Sequence, residues 1–233
     1  MAVVLKKRNN LLRQEILQVI LLIIIFFVML LYFFIFKCEN IITKLFPFIL
    51  LYFFYINIIK YKKLKSGIKG EKLTLEILKK LNNNYIILSD LKIHYKNKKA
   101  QIDNLVIGKN GIFIIETKNV YGIVTGSGNN TYVNVLNNKK EPYFKMYNPC
   151  KQVLTHKTKL NELLKLHNLN STIEPIVFFS NYNTKVNIKN KNVHIFTEDN
   201  HCELIKHIRN FSPKHTLKKS EIDSIVNLLK DYL

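Results

Sequence analysis

The sequence predicts a mixed β-sheet covered by helices, of the α/β or α+β class, preceded by two strongly apolar segments. Short apolar runs that alternate with Gly- and Asn-rich turns indicate the strands, and helical patterns occur before, between and after them. The segment Ile16–Phe36 is almost uninterrupted Ile, Leu, Val, Phe and Tyr, and it is long enough to cross a bilayer core. A chain of 233 residues has room for one ordinary domain and additional elements.

Residues 1–65 are predicted to form a membrane anchor of two helices, about 16–36 and 41–59, followed by a basic linker. The clean part of the second segment, Leu45–Ile59, is short for a full span, so a single span remains an alternative. The length of the first segment and the lack of a small-residue cleavage pattern argue against a signal peptide. Basic residues flank the pair, whereas the connector Lys37–Asn40 is nearly neutral. The positive-inside rule therefore predicts a multi-pass protein of the cell membrane whose C-terminal domain lies in the cytoplasm.

The composition leaves the partner open but excludes some classes of site. A net charge of +20 is compatible with nucleic acid or an anionic membrane as partner. It is equally compatible with an AT-rich genome, which would enrich Lys, Asn and Ile together. Three distant cysteines without a CxxC pattern argue against a disulfide framework and a structural zinc site. Phosphate-binding loops of the Walker or Rossmann type do not occur in the sequence.

The elements that follow the anchor are a helix and antiparallel strands. Apolar residues at helical spacing predict a helix over Lys69–Leu81, with Glu71 in its first turn, where a carboxylate compensates the helix dipole. Residues 85–95 predict one strand or two short ones. Two apolar segments, Ala100–Ile107 and Gly111–Thr117, are joined by a Gly- and Asn-rich turn and predict a β-hairpin.

The register of this hairpin has two solutions that place the same side chains together. If Gly108 faces Gly111, Asp103 lies opposite Glu116; a turn centred one residue later puts Asp103 opposite Lys118. In both registers these three side chains share one face, because side chains alternate along a strand. Directly opposed Cβ atoms are only about 5 Å apart, and two carboxylates that close repel unless a proton or cation lies between them. The hairpin therefore predicts a metal-binding site with catalytic potential.

The second hairpin strand is predicted to lie in the middle of the sheet, because it is apolar on both faces. Ionised groups such as Glu116 and Lys118 at the end of such a strand are expensive unless they are paired or bound to metal. A simple ion pair between the strands and a functional site fit the spacing equally well.

The remaining sequence predicts alternating strands and helices. The predicted elements are strands over 121–128, 131–136, 173–179 and 193–196, and helices over 149–166, 199–209 and from Ser220 to the end. Asn148 and Pro149 are suited to the N-cap and first position of the middle helix. Gln152, His156 and Lys159 share a face of that helix at i, i+4 and i+7, which suggests a polar face near a ligand. His156 taken alone is more typical of a surface histidine than of a catalytic base.

Several short motifs then occur in a specific order. They are Gly70-Glu71, Gln101-Ile102-Asp103, Gly111 to Asn119 with its Glu-Thr-Lys, Asn148-Pro149-x-x-Gln152, and Pro175 to Asn181. This order and spacing resembles the nuclease-related domain family, NERD, whose fold is similar to that of the PD-(D/E)xK restriction-endonuclease-like nucleases. The resemblance implies such a core at 66–181, completed or flanked by a strand and helices at 182–233.

The resemblance also implies a nuclease-type centre made of Glu71, Asp103, Glu116, Lys118 and Gln152. Asp103, Glu116 and Glu71 would be the metal ligands, and carboxylates are hard oxygen ligands suited to Mg²⁺ or Mn²⁺. Lys118 would orient or activate water, and Gln152 would position water or phosphate. The expected function is hydrolysis of DNA phosphodiester bonds by a membrane-anchored nuclease on the cytoplasmic side.

Two departures from the family pattern affect expected substrate contacts. Asn104 stands where a His commonly follows the Asp, and Tyr132 stands near the position of a common Trp. Two other functions remain as alternatives, because fold and activity are separable. One is a non-catalytic, membrane-tethered module that binds nucleic acid or protein, and the other is a membrane-surface scaffold with no nucleic-acid role.

Overall fold

The computed structural model of the chain describes residues 1–6, 10–35, 41–95, 98–190, 192–213 and 215–233. It divides into two compact units, one of Arg8–Lys69 and one of Met1–Lys7 together with Gly70–Leu233. The predicted connector Lys37–Asn40 and the last residue of the first predicted span, Phe36, lie outside the described residues.

The N-terminal unit consists of helix α1 (Asn10–Ile35) and most of helix α2 (Ile41–Leu78). Within the described residues, Leu45–Leu78 is long and apolar enough to cross a membrane, judged by length and composition, whereas the apolar stretch Ile16–Tyr32 is shorter. The predicted pair of spans is therefore reduced to one candidate among the described residues. That candidate contains Leu45–Ile59, which is the clean part of the second predicted span. From the sequence alone, the prediction of a membrane span was weaker for this segment than for the first.

Helix α2 corrects two expectations about the region that follows the anchor. The basic linker does not interrupt the helix, which continues from Ile41 to Leu78. Lys is a good helix former, and the two glycines in this stretch, Gly67 and Gly70, each cost only about 1 kcal/mol. Glu71 consequently lies well inside a helix and not in its first turn, so compensation of a helix N-terminus does not explain this carboxylate.

The second unit is built on two β-sheets. Its strands are β1 (Val3–Lys6), β2 (Ile86–Tyr95), β3 (Lys98–Gly108), β4 (Gly111–Lys118), β5 (Gly122–Ser127), β6 (Tyr132–Leu136), β7 (Pro142–Tyr147), β8 (Ile173–Phe179), β9 (Thr184–Lys189) and β10 (His194–Thr197). The six-stranded sheet has the order β1-β2-β3-β4-β8-β10, and the four-stranded sheet has the order β7-β6-β5-β9. β4 pairs antiparallel with β3 and parallel with β8, so the predicted mixed sheet is confirmed.

The hairpin of β3 and β4 adopts the first of the two predicted registers, with Gly108 opposite Gly111. β4 is also a central strand covered on both faces, as its sequence predicts. Ile112 and Ile114 pack in one hydrophobic cluster, whereas Phe113 and Ile115 pack in the other. The end of β4 is therefore enclosed on both sides of the sheet, which is an expensive place for charged side chains.

Three helices complete the second unit, namely α3 (Pro149–Leu166), α4 (His201–Asn210) and α5 (Lys219–Lys230). α3 and α5 pack in the cluster of Ile112, whereas α4 and the end of α2 pack in the cluster of Phe113. The last helix begins earlier than predicted from Ser220. The reason is that Glu221 accepts a hydrogen bond from the backbone N–H of Lys218 at 2.7 Å, so the capping residue is Lys218.

Three strands, β1, β7 and β9, were not predicted from the sequence. β1 is short and pairs in parallel with β2 across a long stretch of intervening chain. Most side chains of β7 are exposed, so this strand carries no alternation that the sequence could reveal. β9 does alternate between exposed and more buried residues, and its pattern was available in the sequence.

Candidate functional site

The predicted Glu and Lys of β4 are in direct contact at the end of this central strand. Lys118 Nζ lies 2.8 Å from Glu116 Oε1, and the Glu116 side chain is only 2% exposed. Lys118 Nζ also donates a hydrogen bond to Gln152 Oε1 at 3.0 Å. Three of the five predicted site residues are thus joined through the ammonium group of Lys118.

Helix α3 is held in place for this contact by its N-cap, Asn148. The side-chain Oδ1 of Asn148 accepts from the backbone N–H of Cys150 at 3.0 Å, which caps the helix as predicted. The Nδ2 group donates to backbone carbonyls at the end of β5 and in the following turn, including that of Ser127 at 2.9 Å. Gln152 follows the cap by one turn, so the same residue that starts the helix fixes the position of Gln152.

Asp103 lies where the β3–β4 ladder stops. The last paired residues are Asn104 and Ile115, and beyond them Asp103 Oδ2 accepts a hydrogen bond from the backbone N–H of Thr117 at 2.9 Å. A carboxylate oxygen therefore accepts from a β4 amide where the regular ladder ends. This bond directs the Asp103 carboxyl toward the strand that carries Glu116 and Lys118.

The surroundings of Asp103 disfavour its negative charge. Burial raises the pKa of Asp103 well above its ordinary value, and the charges of Glu116 and Glu71 raise this pKa further. The bond from Thr117 and the charge of Lys118 lower the pKa by smaller amounts. Asp103 thus favours a bound proton or a nearby cation.

Glu71 comes to this region from helix α2. Thr74 on the same helix receives a hydrogen bond at 3.1 Å from the hydroxyl of Thr117 on β4, which fastens the helix to the strand. Glu71 is close enough to raise the pKa of Asp103.

The environment of His156 differs from the sequence prediction. His156 is buried and not on the surface, and its Nε2 lies 3.4 Å from Glu116 Oε2. Both ring nitrogens and Glu116 Oε2 are buried and have no hydrogen-bond partner among the described residues. The spacing of four residues from Gln152 was the available signal, because it places both side chains on the α3 face that meets β4.

Lys159, the third residue of the predicted polar face, lies farther along α3. Its Nζ donates to the backbone carbonyl of Lys99 at 2.6 Å. Lys159 therefore fastens the helix to β3, whereas Gln152 and His156 contact the charged end of β4. Asn104, at the position of the usual His, is completely buried, and among the described residues both of its side-chain polar atoms have no partner.

The donor groups at the end of β4 fit a divalent cation held mainly by two carboxylates. Burial, and then the charges of Glu116 and Glu71, raise the pKa of Asp103, and Glu116 Oε2 has no hydrogen-bond partner among the described residues. Mg²⁺ and similar ions are commonly bound through one or two carboxylates, with the other positions filled by water and substrate phosphate. Asp103 and Glu116 supply such a pair, and Glu71 contributes negative charge nearby.

The mixed-sheet fold and the carboxylate–lysine cluster at the end of its central strand agree with the result of a comparison with protein families. Residues 66–180 match the family model of the nuclease-related domain, NERD, so this segment belongs to that family. The match confirms the predicted family, and the fold is compatible with the PD-(D/E)xK class.

A curated relative and the solved structures add little to this assignment. An uncharacterized protein of Bacillus anthracis is 38% identical over 64 residues, which are 27% of this chain and 30% of that protein. The matched segment thus spans less than a third of the relative's length. No solved structure matches the chain.

We expect Asp103→Asn to stabilise the metal-free protein at neutral and alkaline pH. The raised pKa means that the folded state favours the protonated carboxyl, so this contribution is complete at low pH and is lost as the pH rises through the folded-state pKa. Asn mimics the protonated form at every pH. In EDTA, thermal melts should show a higher Tm for the variant at about pH 8 than for the wild type, and a gain of about 1 kcal/mol would appear as about 2–4 °C.

The matched control for this melt is Asp223→Asn, which replaces an exposed carboxylate on α5. Its Tm should equal that of the wild type throughout the pH range. The contradicting result is a Tm of Asp103→Asn that is lower than the wild-type Tm by the same amount at acidic and alkaline pH. It would show that the fold does not disfavour the negative charge of Asp103.

Proposed function

We propose that this protein is a divalent-cation-dependent nuclease that hydrolyses DNA phosphodiester bonds. The observation that carries this proposal is the state of Glu116. One of its oxygens contacts Lys118 at 2.8 Å, and the other is buried beside His156 without a hydrogen bond among the described residues. Glu116 is thus a buried carboxylate with a partner for only one of its two oxygens, and it lies next to Asp103, whose pKa is raised. Such a combination is typical of functional sites.

Each residue has a role that follows from its contacts. A bound Mg²⁺ or Mn²⁺ would supply charge neutralisation and Lewis acidity at a phosphodiester oxygen. Lys118 carries a positive charge that would stabilise the negative charge developing on the phosphoryl group. Gln152 accepts a hydrogen bond from the Lys118 ammonium group and so fixes its direction. Because the pKa of Asp103 is raised, a proton competes with a cation for this carboxylate, and cation affinity should rise with pH.

The proposed location of this activity is the cytoplasmic face of the cell membrane. The apolar residues at the start of the segment Leu45–Leu78, before its lysines, would cross the membrane, and many side chains of α1 and α2 are apolar and exposed. The lysines at positions 60, 62, 63 and 65 would favour the cytoplasmic side through the positive-inside rule. A nuclease tethered in this way would act on DNA that reaches the inner surface of the membrane.

One preparation tests both parts of the proposal. Membranes from cells that produce the full chain are washed with alkaline carbonate, and the protein should remain in the pellet. After extraction into detergent, it should cut plasmid, linear or single-stranded DNA with Mg²⁺ or Mn²⁺ and lose this activity in EDTA. Release by carbonate would contradict the anchor, and cleavage that continues in EDTA would contradict the metal-dependent nuclease.

A second candidate function, a non-catalytic module that binds nucleic acid, is favoured by the outward face of the four-stranded sheet. We define this outer sheet face by Tyr132, Lys145, Tyr147, Lys185 and Lys189, all of which are exposed. One row of paired residues crosses the sheet from β7 to β9 and consists of Lys145, Asn134, Thr125 and Asn187. The opposite faces of β5 and β6 carry the buried residues Val124, Val133 and Val135.

The chemistry of the outer sheet face suits a single-stranded nucleic acid. Tyr132 and Tyr147 lie opposite each other, with ring centroids 6.2 Å apart and an angle of 86° between the rings. Exposed aromatic rings on a sheet are platforms on which bases stack, and nearby lysines contact the phosphates. The outward positions of these four strands carry lysines and no Asp or Glu, so the charge is complementary to a polyanion.

Lys145→Glu combined with Lys189→Glu should weaken binding of single-stranded DNA. Loss of two phosphate contacts should reduce the slope of log affinity against log salt by about 1.4, and Tyr132→Ala should cost about 1–3 kcal/mol of binding free energy. Fluorescence anisotropy at several salt concentrations measures both effects. The control is Lys206→Glu, which reverses an exposed lysine on α4.

These binding data also separate the two candidate functions. Salt-dependent binding without any cleavage, in a protein that binds no Mg²⁺ or Mn²⁺, would favour the binding module. The wild type, the double lysine variant and the Lys206 control could also bind single-stranded DNA with equal affinity. This result would show that the outer sheet face is not the binding surface.

A further inference from the structure

A second group of metal-ligating side chains lies outside the site at the end of β4. Glu174 on β8, His194 on β10 and His207 on α4 each offer one donor atom, and these three atoms all lie within 4.8 Å of one another. Glu174 Oε1 is 3.3 Å from His194 Nε2 and 3.7 Å from His207 Nε2. Three different elements thus converge on one point.

This group is separate from the candidate nuclease centre. Glu174 pairs with Phe113 in the parallel β4–β8 register, whereas Glu116 pairs with Val177, three positions farther along the strands. Three residues of β-strand correspond to about 10 Å. Glu174 shares the sheet face of Ile176, which belongs to the cluster of α4, whereas Val177 belongs to the cluster of α3. The two groups therefore lie on opposite faces of the six-stranded sheet.

The donor separations match those of a tetrahedral zinc site. Ligand atoms at about 2.0–2.1 Å from a tetrahedral Zn²⁺ lie about 3.3–3.4 Å from each other. The two measured Glu–His separations, 3.3 and 3.7 Å, are close to this value. His207 Nε2 is buried and has no hydrogen-bond partner in the described part of the chain, which is an unsatisfied atom that a bound ion would satisfy.

Aromatic rings surround the two histidines of this group. The His194 and His207 rings lie 4.2 Å apart between centroids, so their nitrogen atoms can approach one ion. Phe196 and Phe211 pack against the His207 ring at 5.5 and 6.0 Å, which gives the group an apolar wall. Neutral imidazole is the form that binds metal, and an apolar surrounding limits competition from water.

We propose that Glu174, His194 and His207 bind a Zn²⁺-class transition-metal ion. Two imidazoles and one carboxylate favour zinc over Mg²⁺ or Ca²⁺, which prefer all-oxygen ligands. Three protein ligands leave the fourth tetrahedral position to water or another small ligand. Bound zinc joins α4 to the β8–β10 edge of the sheet and stabilises the folded state by binding to it. The site is independent of the proposed nuclease activity.

The sequence conceals this site because its ligands follow no local spacing. They are separated by 20 and 13 residues and lie on two strands and a helix. Only the parallel pairing of β8 with β10 and the packing of α4 bring them together. The lack of a CxxC pattern argues only against zinc bound by cysteines, and a His₂Glu set has no such signature.

The test uses the full chain in detergent, stripped with EDTA and titrated with Zn²⁺ and Co²⁺. Calorimetry should give one tight equivalent of Zn²⁺ per chain, and Zn²⁺ should raise the Tm. Co²⁺ should give the visible absorption of a tetrahedral ion with nitrogen and oxygen ligands and without a thiolate charge-transfer band. Such a band would assign the metal to cysteine and overturn the proposal.

The second part of the test replaces the proposed ligands. His194→Gln and His207→Gln should each weaken Zn²⁺ binding at least about 10–100-fold, and the double variant should bind no equivalent at this site. His215→Gln, which changes an exposed histidine near Glu221, and Glu116→Gln should retain the wild-type zinc affinity. Failure of the wild type to bind Zn²⁺, or equal affinity in the double variant, would overturn the proposal and leave the nuclease proposal untouched.

Discussion

Glu116→Gln is expected to abolish DNA cleavage with little effect on the fold. Gln has the same shape and retains an oxygen that can accept from Lys118, which lies 2.8 Å from Glu116 Oε1. It removes the negative charge that makes Glu116 a cation ligand. We expect the single-turnover cleavage rate to fall roughly 10²–10⁴-fold. Calorimetry should show that Mg²⁺ and Mn²⁺ binding is lost together with activity.

The control for this substitution is Glu203→Gln, which neutralises an exposed carboxylate on α4. Its cleavage rate and cation affinity should equal those of the wild type. Near-normal cleavage by Glu116→Gln would contradict the proposed centre, because no other described carboxylate combines this burial with contact to Lys118. Circular dichroism and thermal melts show whether a loss of activity reflects unfolding.

Lys118→Met should remove activity by a different route and leave cation binding intact. Met occupies a similar volume, but the positive charge that would face the phosphoryl group is lost, and we expect the cleavage rate to fall roughly 10²–10³-fold. Glu116 Oε1 loses its bond to Lys118 and becomes free to bind metal. Mg²⁺ or Mn²⁺ affinity should therefore be unchanged or higher, in contrast to Glu116→Gln.

Lys159→Met is the matched control for Lys118→Met. Lys159 lies on the same polar face of α3 as Gln152, but its ammonium group contacts only the backbone carbonyl of Lys99 in the contacts described above. Cleavage by this variant should stay within a few-fold of the wild type. Joint loss of metal binding and activity in Lys118→Met would instead mean that Lys118 holds Glu116 in place and has no direct role with substrate.

The cluster at the end of β4 was predictable because its geometry is local. Glu116 and Lys118 are two residues apart on one strand, so the strand period alone puts them on one face. A two-residue turn between Gly108 and Gly111 then restricts the position of Asp103 to two registers. Gln152 was accessible because Asn148 and Pro149 mark the start of its helix.

The parts that sequence reasoning missed depend on long-range packing. His156 looked like a surface residue, because nothing in the spacing of α3 shows how closely that helix approaches Glu116. Glu71 appeared to lie at a helix start, because a basic segment resembles a linker even where the backbone stays helical. Around Glu71 the local preference differs by about 1 kcal/mol or less per residue, so tertiary contacts can override it.

The sequence by itself determined the family of residues 66–180, the central hairpin with its register options, and the face that carries Asp103, Glu116 and Lys118. These features follow from the two-residue period of a strand and from short turns. Only the tertiary structure decided which neighbours complete the site, because β8, α3 and α2 reach β4 from distant parts of the chain. The same packing brings Glu174, His194 and His207 together on the opposite face, where no sequence period connects them.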